Sequence, residues 1–248
     1  MKCRKILTIF LLLQIMALSV AVASTNYYEA LSPTLTERTR LSWSVLESPS
    51  VAVEWGWSGE GSWIIGEGEE VSFLVQRIHD DVEGQLTLGN FSILANNTDI
   101  ARELVFGIWG LPPFFPGLVV ETGQSSMNKL NETAYASAER VSGNYLNGTM
   151  ESSYNQVIIG ETTYNCIIFN YEQDPTGFSE PQITELAYDL DTGVLVRANT
   201  SYSFGTPYIL TLELASIAKE PSQFTILLLA GISGIIALVV VMILLKRR

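Results

Sequence analysis

The run from Phe224 to Leu245 constrains this chain more than any other feature, because its 22 residues carry no charge and Lys246, Arg247 and Arg248 follow at once. A helix of that length, rising ~1.5 Å per residue, measures about 33 Å and crosses the hydrocarbon core of a bilayer. Basic residues favour the cytoplasmic side, so 246–248 are expected inside and the preceding chain outside. Ala230 and Gly234 have the small-xxx-small spacing of paired membrane helices. Removable tails are the competing reading, but a GPI signal ends apolar, and Pro221-Ser222-Gln223-Phe224 stands where an archaeal sortase signal has Pro-Gly-Phe.

The other end of the chain points the same way. Lys2, Arg4 and Lys5 precede an apolar run from Ile6 to Val22, and Ala21-Val22-Ala23 has the small-x-small form of a cleavage site. The alternative is an uncleaved anchor. The expected organisation is a signal peptide at 1–24, an ectodomain at 25–218, a short tether at 219–223, a single-pass transmembrane helix at 224–245 and a cytoplasmic tail at 246–248. This predicts a location in the cell membrane with the C-terminus inside.

The region between the two runs is acidic. All 26 Asp and Glu lie between Glu29 and Glu220, whereas six of the 14 Lys and Arg lie outside that stretch, which leaves 8 and a formal net charge of −18. Phosphate recognition needs a basic surface, so nucleic acid is excluded as a partner, and tight adsorption to anionic headgroups is disfavoured. Such acidity is ordinarily explained by solubility or by a saline exterior. Cys3 falls in the signal, leaving Cys166 in the strand-like run Tyr164-Asn165-Cys166-Ile167-Ile168-Phe169, where a buried inert thiol is expected. With no disulfide available, about 195 residues must hold themselves by their core. Asn-x-Ser/Thr sequons at Asn90, Asn96, Asn131, Asn147 and Asn199 mark possible glycosylation sites.

Short apolar or alternating runs bounded by Gly, Pro, Asn and Asp predict a mainly β fold. The expected architecture is an antiparallel sandwich or partly open barrel with one or two short helices. Candidate strands are 51–57, 71–78, 85–94, 105–109, 118–121, 156–159, 164–171, 184–190, 194–204 and 208–217. Asp189 to Gly193 reads as a hairpin turn in preference to a metal loop, since further oxygen ligands and a distal Glu are missing. Met127, Leu130, Ala134, Ala138 and Val141 share one face of a helix predicted over 125–141, and a shorter helix is predicted from Asn97 or Thr98 through Leu104.

Enzyme templates fail on inventory. His79 is the single histidine, and His79-Asp80-Asp81-x-Glu83 reads as a solvated turn before it reads as a cation site. Gly56-Trp57-Ser58-Gly59-Glu60 breaks the last position of a nucleophile elbow. Zinc sites of the His/Cys kind are excluded by count, and no phosphate-cradling loop has its strand, helix and Lys context. A pair of acids converging as in glycosidases has no motif to select it. No catalytic residue, metal ligand or cofactor is therefore assigned. Two aromatic stretches are the ligand- or partner-binding candidates: Trp55, Trp57 and Trp63 in the first, and Trp109, Phe114 and Phe115 within the proline-rich second. The alternative for the second is packing over an open end of the sheet.

The signal-like start, the sequons, the Tyr188-Asp189 to Gly193-Val194-Leu195 hairpin and the run from Phe224 to Arg248 together resemble single-pass surface proteins of archaea without assigned function. A β-rich sheet curled around a helix also looks like the periplasmic lipoprotein-carrier folds, which hold acyl chains. These resemblances imply a non-enzymatic, membrane-anchored surface module acting close to the bilayer on another membrane protein or an apolar ligand. An envelope-polymer hydrolase using acidic residues and a structural envelope component are the alternatives.

Overall fold

A computed structural model describes residues 35–56, 60–108, 114, 116–175, 180–203 and 207–221. The signal-like segment, the apolar run at 224–245 and the basic tail lie outside them. No helix among the described residues is long and apolar enough to cross a membrane.

The fold is mainly β. β1 (Thr39–Glu47) is followed by a small hairpin of β2 (Val53–Trp55) and β3 (Gly61–Trp63), then by the meander β4 (Glu70–Ile78), β5 (Val82–Leu88) and β6 (Phe91–Asn96). Helices α1 (Asn97–Glu103) and α2 (Gln124–Arg140) lead into a second meander of β7 (Gly148–Ile159), β8 (Thr162–Gln173), β9 (Ile183–Asp189), β10 (Leu195–Tyr202) and β11 (Tyr208–Lys219). Among the described residues nine strands form one antiparallel sheet in the order β6-β5-β4-β1-β11-β10-β9-β8-β7, and β2 pairs with β3 apart from it. The strands thus lie in one open sheet, with edges β6 and β7, and not in the two facing sheets of a sandwich.

Alternation decides which face of that sheet is buried. Leu41, Trp43 and Val45 on β1 line up with Val71 and Phe73 on β4, Leu86 and Leu88 on β5, and Leu212 and Leu214 on β11, all at most 3% exposed. The opposite face carries Ser42, Ser72, Thr87, Asn199 and Thr211, with Arg197 bonded to the Glu213 carboxylate at 2.7 and 3.0 Å. The inner face is covered on one side by the β2–β3 hairpin, where Trp55 meets Phe91 at 5.7 Å between ring centres and Trp63 meets Tyr208 at 6.4 Å. On the other side it is covered by the segment between the helices and by α2 beside β7.

The helices fall where periodicity places them. Asn96 caps α1 by accepting from the Asp99 N–H, and Met127, Ala134 and Ala138 are buried on one face of α2, with Val141 buried at its C-cap. Three strand expectations are corrected. Residues 85–94 form two strands, because Gly89 at φ 57° turns the chain, and a Cβ there would sit 2.8 Å from the Ile64 carbonyl oxygen. Residues 105–109 form no strand over their described part, since Val105 sits at φ 58° after α1. Residues 118–121 contribute a single bridge, Val119 to Val194. β1, which joins the two meanders by pairing with β4 and β11, was not among the predicted strands.

Register sets the direction of the domain. β1 starts where β11 ends: the Glu220 N–H donates to the Arg38 carbonyl, and the Arg40 guanidinium donates to the Glu220 carboxylate at 2.5 and 2.8 Å. The β4–β5 and β7–β8 turns lie at that same end. Residues 48–50, 64–69 and the Gly89-Asn90 turn lie at the opposite end.

Candidate functional site

The segment from Leu104 to Val120 decides what the inner face can do. Its side chains Leu104, Phe106, Ile108 and Leu118 are fully buried, and Phe114 is 1% exposed with its ring 5.4 Å from that of Phe169. A segment crossing an apolar sheet brings backbone carbonyls that need donors. The sheet supplies them as side-chain hydroxyls. Tyr208 donates to Leu104 O (3.1 Å), Thr200 to Val105 O (3.0 Å), Thr184 to Gly107 O (3.2 Å) and Tyr188 to Gly117 O (2.7 Å). Gln182 also donates to Gly107 O (2.8 Å), and the Tyr171 hydroxyl donates to Leu146 O.

Asn97, in the first turn of α1, fastens the far end of the segment. Its Nδ2 donates to Pro116 O (3.2 Å) and Val119 O (2.8 Å), while its Oδ1 accepts from Leu118 N (2.6 Å) and Val119 N (3.1 Å). Gly117 is required beside it, since a Cβ at that residue's φ of +84° would come 2.3 Å from the Asn97 carboxamide. The buried polar groups named here are thus spent on backbone, and the described side chains of the segment occupy the inner face.

Burial raises the Tyr188 and Tyr208 phenols well above their ordinary value. Tyr171 is pushed up to about 12 by burial and then by the Asp174 charge. All three act as neutral donors. Because the folded pKa exceeds the unfolded one, their contribution is intact below about pH 10 and is lost as pH climbs towards 12. The domain is expected to resist urea equally at pH 6 and 7.5 and to lose resistance between about pH 9 and 12, where the buried Cys166 thiol, raised in the same way, adds to the loss, monitored by tryptophan fluorescence. A midpoint unchanged up to pH 12 would contradict this.

Of the six aromatic residues singled out from sequence, Trp55, Trp63 and Phe114 are core side chains at 3%, 1% and 1% exposure. They pack the cover onto the sheet and do not form a stacking platform. Trp57, Trp109 and Phe115 lie outside the described residues. His79 is exposed in the β4–β5 turn, where the Asp81 carboxylate accepts from Val82 N and Thr98 N. Asp189 closes its hairpin by accepting from Thr192 N (2.9 Å) and Oγ1 (2.6 Å), with Gly193 at φ 71°. Among the described residues no group of three His, Cys, Asp or Glu side chains is placed to hold a metal ion. Cys166 is buried, and its thiol is pushed up to about 12 by burial and then by the Asp189 charge. Iodoacetamide at pH 8 should leave it unmodified in the native chain and alkylate it fully in denaturant, as read by mass.

An open cleft of about 410 Å³ lies at the end of the sheet away from residues 38 and 220. Ser48, Pro49, Ile64, Ile65, Gly66, Glu69, Gly89 and Asn90 line it, and Ile64 is 57% exposed. Leu46 and Val51, on either side of Ser48 and Pro49 in the chain, are 45% and 46% exposed. Glu69 is the one carboxylate of the lining, and it accepts from the Gly66 N–H at 2.9 Å. Such a surface offers apolar contact beside one carboxylate, a hydroxyl and a carboxamide. It lacks the second acid that hydrolysis of a polymer needs. Sequence reasoning missed it because its parts come from three separate turns with no shared motif. No protein-family model matches the chain, and no curated protein matches it in sequence.

Proposed function

We propose that this chain is a membrane-held, extracytoplasmic interaction module that binds a partner through the cleft-bearing end of its sheet. The observation that carries the reading is the opposition of the two ends. The strand leading towards the apolar run leaves at one end, while the cleft and exposed Ile64 stand at the other. Nine residues of β1 at ~3.4 Å each separate the two by about 30 Å. On this reading the partner is met at the far end of the sheet from residue 220, within one domain's length of the bilayer. Filling of the inner face by Phe106, Ile108, Phe114 and Leu118 favours surface recognition over the carriage of an acyl chain. The single carboxylate of the cleft gives no support to an envelope hydrolase.

The test uses the full chain in its own cells. It should resist alkaline carbonate extraction from membranes, and external protease should reach it in intact cells. A photo-crosslinking side chain at Ile64 should give a discrete adduct that the same probe at Ile217, near the other end, does not. Carbonate extraction of the chain would remove the anchoring, and equal adducts at both positions would remove the cleft as the binding surface.

A further inference from the structure

We infer that Asn90 is the position at which the folded domain carries an N-linked glycan, standing at the mouth of the cleft; this rests on the extracytoplasmic reading above. The five sequons look alike in sequence, and the fold separates them. Attachment uses the carboxamide Nδ2 and leaves a bulky, hydrated group that needs open solvent.

Asn96 has both amide atoms engaged at the α1 cap: Oδ1 accepts from Asp99 N and Nδ2 donates to Asp99 Oδ2, each at 2.7 Å. A sugar on that nitrogen would crowd the Asp99 carboxylate that lies 2.7 Å from it. Asn147 is likewise held, accepting from Gly143 N (3.2 Å) and donating to the Asp174 carboxylate. Asn131 is half-buried on α2 with its Oδ1 shut from solvent. Asn199 lies in mid-strand on β10, flanked by Glu185 of β9 and Thr211 of β11. Asn90 alone among the five is exposed, and it sits in the two-residue turn between β5 and β6 with its acceptor-motif partner Ser92 also exposed. Among the described residues its carboxamide has no hydrogen-bond partner to lose.

The donor the reaction requires is an oligosaccharide on a polyprenyl phosphate or pyrophosphate, handled by a membrane transferase. Nδ2 attacks the anomeric carbon and a C–N bond forms. The anomeric C–O bond breaks, its electron pair leaves on the lipid phosphate, and the displaced amide proton passes to a base of the transferase. Nothing is oxidised or reduced. Because Asn90 also lines the cleft, the glycan narrows the approach to that surface and selects among partners by size.

The test expresses the full chain in a cell whose secretory pathway N-glycosylates, recovers the surface-labelled population, and reads intact mass before and after glycan-releasing amidase. Gly160→Asn serves as a reporter: Gly160 is exposed at φ +57° with nothing within 4 Å of an added Cβ, and Glu161 and Thr162 follow it. The wild-type chain should carry one glycan, Asn90→Gln and Ser92→Ala none, and Gly160→Asn two. A glycan that persists in Asn90→Gln overturns the inference. A bare wild-type chain beside a singly modified Gly160→Asn overturns it while leaving the extracytoplasmic reading standing. No glycan on either chain overturns both.

Discussion

Phe114→Ala is expected to lower the unfolding free energy by about 3–5 kcal/mol, the cost of emptying a fully buried phenylalanine site whose surroundings relax only in part. The ring is 1% exposed and meets Phe169 edge-on at 5.4 Å, so its removal strips one side of that contact. Urea unfolding of the full chain, followed by tryptophan fluorescence, should show a lower midpoint at an unchanged slope. The same variant tests the carrier-like alternative. The space left is apolar and enclosed, so a small apolar probe should restore part of the lost stability, whereas the wild-type chain should gain nothing from it. A wild-type chain stabilised by the probe, with Phe114→Ala near neutral, would mean that the inner face holds an occupant other than its own segment.

Asn97→Ala should be comparably severe for a different reason. Its carboxamide satisfies Pro116 O, Val119 O, Leu118 N and Val119 N within a buried environment, and alanine reaches none of them. Each buried polar group left without a partner costs about 1–3 kcal/mol, and partial relaxation puts the total on the order of 4 kcal/mol. Thr98→Ala, one residue on and exposed, is the control, expected within about 0.5 kcal/mol of wild type. Equal midpoints for the two would show that the segment is not fastened there.

The elements that could be read from sequence are those whose signal is local. α2 follows from apolar residues recurring every three or four positions, and the Asp189–Gly193 hairpin follows from turn chemistry between two apolar runs. β5 and β6 merged into one predicted strand because apolar residues continue on both sides of Gly89-Asn90, and only the packing of Gly89 against Ile64 shows the turn. β1 gives a weak local signal although Leu41, Trp43 and Val45 alternate, because Ser42 and Ser44 between them and Arg40 before them resemble the polar linkers nearby. The aromatic residues were legible as important and misread as to place. Trp55 and Trp63 are large apolar groups in a Gly-rich stretch, and periodicity cannot tell a cover packed onto a sheet from a surface offered to a ligand.

The sequence by itself determined the β class, the second meander, both helices, the inert setting of Cys166 and the expectation of apolar segments at both ends of the chain. Each of these depends on residues within a turn or a strand of one another. Tertiary structure alone decided three things: that β1 pairs with β11 so that residues 38 and 220 meet, that hydroxyls from β9, β10 and β11 hold the segment after α1 against the inner face, and that one sequon of five stands open. All three join residues 70 or more positions apart, or turn on which neighbours cover a side chain. Local pattern carries no record of such contacts, since many arrangements of the same strands would satisfy the alternation equally well.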